Sequence, residues 1–142
     1  MTLPDQPSAI TTQASTGFEE AYVVDTTDVR GDRTVLTVRD YDFHTDPTKR
    51  DPKDVASRKA AARFIGPVLR RPSKIYRESN KTEYLRYTGL VAVPELGECL
   101  KALVVTVDPT RDPHEVVTWI AKRNLKAEDT SGGLLYDAYE ST

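Results

Sequence analysis

The sequence predicts one α+β domain, in which an N-terminal pair of strands and one main helix precede an antiparallel four-stranded sheet. Three observations predict it. Apolar residues recur at three- and four-residue spacing through residues 54–69, which is typical of an amphipathic helix. Four short β-rich runs follow without helices between them, and such short connections favour antiparallel pairing. The length of 142 residues suits one domain of roughly 100 to 150 residues.

The first fifty residues predict a tail, two strands and a loop. Residues 1–17 are rich in Thr, Ser, Gln, Pro and Ala, so we expect a flexible tail there and a single domain over residues 18–142. The β-rich runs Glu20–Asp25 and Arg33–Arg39 are separated by a polar stretch, which predicts a hairpin or two neighbouring strands. The segment Tyr41–Pro52 contains two prolines and is predicted to be a loop.

The main helix is predicted to begin near Asp54, with Asp51 or Asp54 as its N-cap. Pro67 lies inside the periodic pattern. Because proline lacks a backbone donor, it kinks or ends the helix there and leaves Pro67–Leu69 as a separate last turn.

The region after Pro72 changes to short β-rich runs bounded by turn-forming residues. Cys99 opens one of the apolar runs and is predicted to be a buried strand residue. Near the C-terminus, Leu134–Tyr136 can add one more contact at a sheet edge. The four predicted strands are Ser73–Glu78, Glu83–Val93, Leu100–Asp108 and Glu115–Lys122.

Alternation along the strands assigns their two faces. In the last strand, Trp119 shares a side with Val117, and burial of the indole places that side against the helix. Val116 and Thr118 then face outward. The outward face gathers cations, hydroxyls and aromatic rings, which suit phosphates and bases. Its members are Lys74, Tyr76, Tyr84, Arg86, Thr88 and Thr118.

Charge is strongly segregated along the chain. Residues 49–90 hold twelve Lys or Arg and four Asp or Glu, a net charge of +8, whereas residues 1–48 carry −6 and residues 91–142 carry −4. Clustered cations predict a surface that faces a polyanion, although a solvated helix face is the alternative. The predicted helix and its end contribute Arg58, Lys59, Arg63, Arg70 and Arg71.

Several classes of function are disfavoured. No apolar run approaches the roughly 20 residues that cross a bilayer, and the N-terminus lacks the pattern of an export signal, so we expect a cytoplasmic protein. One cysteine and two histidines make a structural zinc site improbable, and His114 is predicted to be structural or solvent-facing. No phosphate-binding glycine loop and no Ser-His-Asp or Cys-His grouping is evident, so nucleotide hydrolysis and acyl transfer are disfavoured. No cofactor or metal is predicted.

Four stretches occur in the order found in one group of ribonucleases. Phe64–Tyr76 (FIGPVLRRPSKIY), Tyr84–Tyr87 (YLRY), Ala102–Val107 (ALVVTV) and Val116–Trp119 (VVTW) resemble the phage and polymorphic-toxin branch of the barnase, EndoU, colicin and RelE group. The resemblance covers roughly residues 54–122. It implies a small α+β domain that cuts RNA without metal, through attack of the 2′-hydroxyl on the neighbouring phosphate.

The resemblance also implies site residues. Thr118 matches the threonine of the final strand, and Arg86 with Tyr84 or Tyr87 matches the polar strand. Some members carry a histidine upstream of the helix, for which His44 is the candidate, although its position in a predicted loop leaves a general-base role open. A toxin of this kind needs an acidic immunity protein or antitoxin as partner.

The chemistry of these side chains is consistent with cleavage of RNA. His44 can act as base or acid, Arg86 can hold the phosphate, and a tyrosine can stack a base or supply a proton. The predicted catalytic set is therefore His44, Tyr84, Arg86 and Thr118. The predicted RNA-binding set is Arg58, Lys59, Arg63, Arg70, Arg71, Lys74, Tyr76, Arg77 and Lys122. Two alternatives remain, a non-catalytic nucleic-acid-binding module and a phage-borne protein that blocks a host factor.

Overall fold

The computed structural model describes residues 21–80 and 83–140, so the predicted tail over residues 1–17 lies outside it. The α+β class is confirmed. Within the described residues, seven strands form one mixed sheet in the order β1-β2-β6-β5-β4-β3-β7. The strands are β1 (Tyr22–Thr27), β2 (Arg33–Thr37), β3 (Lys74–Arg77), β4 (Leu85–Val91), β5 (Lys101–Asp108), β6 (His114–Lys122) and β7 (Leu134–Asp137). The helices are α1 (Val38–His44), α2 (Pro52–Ala62), α3 (Ile65–Arg70) and α4 (Ala127–Thr130).

The four predicted strands form the centre of the sheet, and β3, β4, β5 and β6 pair as successive antiparallel neighbours. The predicted four-stranded sheet is nevertheless too small. The β1–β2 hairpin joins the same sheet because β2 runs parallel to β6, with Thr34 opposite His114 and Val35 opposite Glu115. At the other edge β7 pairs with β3. The β2–β6 contact joins segments far apart in the chain, so no local pattern predicts it.

The predicted loop Tyr41–Pro52 is wrong in its first part, which forms the end of helix α1. The Oγ1 of Thr37 accepts a hydrogen bond from the backbone N–H of Asp40 at 3.1 Å and so caps the helix. His44 is the last residue of α1. The helix therefore follows β2 directly and presents His44 at a fixed position.

The predicted main helix is divided into two helices, but the break lies at Arg63 and Phe64, earlier than the predicted break at Pro67. Asp51 caps α2 by accepting from the backbone N–H of Lys53 at 2.8 Å, and Pro52 occupies the first turn, where its missing donor costs nothing. A separate helix, α3, begins at Ile65 and holds Pro67 in its first turn.

The hydrophobic core lies between α2, α3 and one face of the sheet, and Trp119 is fully buried in it, as predicted. The pairing of β5 with β6 shifts register between Thr106 and Val107, which leaves Val117 as an extra residue in β6. As a result Val116 is buried in the core and Val117 faces a surface cleft. The predicted orientations of these two valines are therefore reversed.

After β6 the chain crosses β5, β4 and β3 to reach β7, and this crossover (residues 123–133) includes α4. It lies over the face opposite α2 and α3, where it contacts Arg86 and Lys122. Residues Ala102–Asp108 of β5, the central strand of this part of the sheet, are all buried. Cys99 lies before β5 and is exposed, so its predicted burial is wrong. Among the described helices, none has the length and apolar character needed to span a membrane.

Candidate nucleic-acid site

A cleft of about 330 Å³ lies between α1 and the ends of β4, β5 and β6. We call it the α1 cleft. It brings together two of the four predicted catalytic residues, His44 and Tyr84, which are forty positions apart in the sequence. The other lining residues are Arg39, Asp40, Phe43, Asp108, Arg111, Glu115 and Val117.

His44 has a defined tautomer because its partners differ in kind. The carbonyl oxygen of Val117 can only accept, so Nε2 carries the proton and donates to it at 2.7 Å. The unprotonated Nδ1 then accepts from Nη2 of Arg50 at 3.2 Å. Burial lowers the pKa of His44, as do the charges of Arg58 and Arg50, against the opposing effect of the Val117 hydrogen bond. The imidazole is therefore neutral at neutral pH.

Phe43 forms an exposed aromatic platform at the rim of the cleft, with 53% of its surface accessible. The Lys49 ammonium lies 5.6 Å from the ring centroid and the Arg50 guanidinium 5.4 Å from it. The ring also makes an edge contact with His44, at 5.2 Å between centroids. Exposed rings flanked by cations are the usual platform for a stacked base beside its phosphate.

Carboxylates moderate the positive charge of the cleft. Arg111 lies 3.7 Å from Asp108 and 3.6 Å from Glu115. Burial would raise the pKa of Asp108, but hydrogen bonds from Thr110 and the charge of Arg111 outweigh it and leave this pKa lowered. Asp108 is therefore ionised at neutral pH. Arg39 and Lys49 are the exposed cations at the rim, whereas Arg50 is half-buried and lies 3.7 Å from the Asp54 carboxylate.

The other two predicted catalytic residues lie on the same face of the sheet but outside this cleft. Arg86 pairs across strands with Tyr76 and Thr106, and Thr106 pairs with Thr118. Arg86 donates to the backbone carbonyl of Glu128 in α4 and lies 3.9 Å from the Glu78 carboxylate. Both residues are engaged within the protein, since the hydroxyl of Thr118 accepts from Arg58 at 3.1 Å.

Arg58, predicted to bind RNA, has most of its side chain buried, with 12% exposed. Its guanidinium donates to the Trp119 carbonyl at 2.8 Å and to both carboxylate oxygens of Asp54 at 3.1 Å. In return the Trp119 indole N–H donates to the Arg58 carbonyl at 2.9 Å. Arg58 therefore joins α2 to β6.

The remaining predicted RNA-binding residues are dispersed over the molecule. Arg63 pairs with Glu95, Lys74 with Asp137 and Lys122 with Asp129. Arg70 donates to Thr26. Tyr76 lines a groove of about 240 Å³ beside Leu125 and Tyr139, away from the α1 cleft. The exposed members are Lys59, Arg71 and Arg77.

Four functional candidates were missed by sequence reasoning: Arg39, Phe43, Arg50 and Arg111. Two of them could have been suspected from the sequence. Phe43 is adjacent to His44, and Arg50 follows in the same polar segment. An aromatic side chain in a predicted loop has no core to pack into, so its presence suggests a role in binding. Arg39 and Arg111 reach the cleft only through the arrangement of strands and α1.

Comparison with known proteins found no matching family model, no matching curated protein and no matching solved structure. The ribonuclease resemblance therefore stays a prediction.

Proposed function

We propose that this chain is a metal-independent endoribonuclease whose active site is the α1 cleft. One observation carries the proposal: a neutral imidazole, a phenol, guanidinium groups and an exposed phenyl ring meet in one cleft. Cleavage by an internal hydroxyl needs a base, an acid, a cation for the phosphorane and a means of holding the nucleotide. Each of these needs has a candidate group there.

Each side chain has a proposed role. The base of the nucleotide stacks on Phe43, and its phosphate binds Arg50 and Arg39. Arg50 turns from His44 to the phosphate and so releases the lone pair of Nδ1. His44 then takes the proton of the 2′-hydroxyl while the 2′-oxygen bonds to phosphorus.

The second half of the step releases the product. The bond between phosphorus and the 5′-oxygen breaks, and Tyr84 gives its proton to that oxygen. The products are a 2′,3′-cyclic phosphate and a free 5′-hydroxyl. Proton transfers of this kind contribute about 10²- to 10⁴-fold to the rate.

The test is cleavage of end-labelled single-stranded RNA with a chelator present. We expect cleavage by the parent chain and none of an all-2′-deoxy strand. His44→Gln and Tyr84→Phe should each lower the rate by about 10²-fold or more. Tyr139→Phe is the matched control, because Tyr139 is 82% exposed and lies at the other groove. An intact substrate after incubation with folded parent protein would contradict catalysis.

A specific observation supports a second function, RNA binding without cleavage. Both ring nitrogens of His44 are already hydrogen-bonded, and Arg86 and Thr118 are engaged within the protein. In that case the parent chain binds the RNA and leaves it intact. Phe43→Ala should then weaken binding, since a base stacked on an aromatic ring contributes about 1–3 kcal/mol. His44→Gln should bind as the parent does.

An acidic inhibitor protein remains part of the first proposal. The exposed cations at the cleft that it would meet are Arg39, which lines the cleft, and Lys49, which lies over the Phe43 ring. Complementary charge on such a partner speeds association more than it adds affinity.

A further inference from the structure

A second cluster of titratable side chains lies at the tip of the β1–β2 hairpin, outside the residues assigned above. Asp28 and Asp32 belong to the turn, and His114 opens β6 beside β2. One oxygen or ring nitrogen from each residue lies within 4.8 Å of those from the other two. The hairpin and β6 thus bring two carboxylates and an imidazole together.

Asp28 is held rigidly in this cluster and is 5% exposed. Its Oδ1 accepts from the backbone N–H groups of Arg30 and Asp32, both at 2.9 Å. Its Oδ2 accepts from the hydroxyl of Tyr87, which is itself fully buried. Carboxylates that bind metals are oriented by hydrogen bonds of this kind. The two backbone donors occupy both lone pairs of Oδ1, whereas Oδ2 keeps one further lone pair for a metal ion.

His114 provides a second observation, independent of the distances between the three residues, that points to a bound ligand. Its Nδ1 is buried and has no hydrogen-bond partner, and it is the one such side-chain atom among the described residues. A buried polar atom without a partner costs about 1–3 kcal/mol, so a native chain ordinarily satisfies it. A ring nitrogen of neutral histidine is a common metal ligand.

We propose that Asp28, Asp32 and His114 bind one divalent transition-metal ion, with water completing its coordination. A donor set of one imidazole and two carboxylates suits Zn²⁺, Co²⁺ or Mn²⁺, whereas Mg²⁺ and Ca²⁺ prefer oxygen ligands throughout. The ion would tie the hairpin turn to the start of β6. Only two residue pairs join β2 to β6, so this is where the sheet gains most from a cross-link. The inference does not depend on the proposed nuclease activity.

The test is calorimetric titration with ZnCl₂ and CoCl₂ at slightly alkaline pH, using a Cys99→Ser chain so that the exposed thiol does not compete. We expect one ion per chain, a higher Tm, and no effect of Mg²⁺. Asp32→Asn and His114→Gln should each weaken binding by about tenfold or more. Asp28 is left intact because its substitution would also break the bond to Tyr87.

The controls are His44→Gln and Asp46→Asn, which remove the other imidazole and a turn carboxylate outside the cluster and should bind the ion as the parent does. A long-range ¹H–¹⁵N spectrum should show a shift of the His114 ring nitrogens on addition of Zn²⁺ and none for His44. The proposal is overturned if millimolar Zn²⁺ does not bind, or if the Asp32 and His114 variants bind it with the parent's affinity.

Discussion

His44 and Arg58 both satisfy carbonyl groups at the edge of β6 that β2 leaves uncovered. His44 Nε2 donates to Val117, and Arg58 donates to Trp119. A strand edge with open carbonyls invites pairing with another chain, and buried carbonyls without donors are costly. These two side chains therefore contribute to the stability of the fold, whatever His44 does in the α1 cleft. Variants for functional tests should keep a donor at each position.

The lowered pKa of His44 predicts a pH-dependent stability. The unfolded chain, in which histidine titrates near its usual 6.5, takes up this proton more readily than the folded one. The contribution of His44 is thus present above about pH 6.5 and is lost as the pH falls through the pKa of the folded state. Burial is the main cause of the lowered pKa; the charges of Arg58 and Arg50 add to it, and the charge of Asp40 opposes it.

Urea unfolding of the parent chain and of His44→Gln from about pH 7.5 to about pH 5 measures the effect. As the pH falls, we expect the free energy of unfolding to decrease more steeply for the parent than for His44→Gln. The difference between the two slopes should not exceed the slope that uptake of one proton produces. Glutamine keeps a donor for Val117 but does not titrate. Parallel pH profiles for the two chains would contradict the prediction.

At the scale of elements, the crossover is held to the sheet by close backbone packing at Gly132. A Cβ on Gly132 would collide with the carbonyl group of Arg77, which is backbone and cannot move aside cheaply. The neighbouring Gly133 carbonyl accepts from the Arg77 N–H at 2.9 Å. Glycine is therefore required for β7 to reach its place beside β3.

Gly132→Ala should destabilise the protein by about 1–3 kcal/mol, the usual range for overpacking. It should also speed hydrogen exchange at the Arg77 amide more than at amides of β5. Gly133→Ala provides a comparison, because its φ of 106° strains any other residue although a Cβ there meets nothing within 4 Å. If hydrogen exchange at the Arg77 amide is unchanged in Gly132→Ala, the crossover has moved to make room for the methyl group and the prediction is wrong.

The elements that local patterns predicted correctly are those with strong periodicity, namely β3 to β6 and the helical segment after Asp51. Helix α1 was missed because the β-rich run was extended through Arg39, although Thr37 followed by Asp40 is a capping signal. The reversed orientation of Val116 and Val117 comes from a bulge set by the pairing with β5. A bulge and a parallel β2–β6 pair depend on distant segments and leave no local trace.

The candidate site, like the fold, was predicted correctly where local sequence patterns determine it and missed where distant segments do. The residue types of His44 and Tyr84 suggested chemistry, and the structure places them in one cleft. Alternation also placed Arg86 and Thr118 on one face of the sheet correctly. What alternation cannot reveal is that the crossover occupies Arg86, since that contact is made by a backbone carbonyl of α4.

At the scale of the whole molecule, cations of the basic segment (residues 49–90) form ion pairs with carboxylates of the acidic segment that follows it. Arg63 binds Glu95 with contacts of 2.6 and 2.8 Å. Lys74 similarly lies 3.8 Å from Asp137. The +8 of residues 49–90 is thus offset in part by the acidic flank that follows it. The surface that faces a polyanion is smaller than the composition indicates.

This compensation predicts a shallow salt dependence of RNA binding. If Arg39, Lys49, Arg50 and one further cation neutralise about three or four phosphates, the slope of log K against log salt is about −2 to −3 for a single strand. Eight free cations would give about −5 to −6. Filter binding or fluorescence anisotropy from low to moderate salt distinguishes these values. The steeper slope would mean that the whole basic segment docks on RNA.

The crossover that carries the chain from β6 to β7 also matters for synthesis on the ribosome. Until β7 has emerged, β3 has one open edge, and until α4 has emerged, Arg86 and Lys122 lack the partners that α4 supplies. A nascent chain that stalls after β6 would therefore present an unpaired strand and a cationic face together. Within the described residues, β7 is the strand that covers this edge of β3.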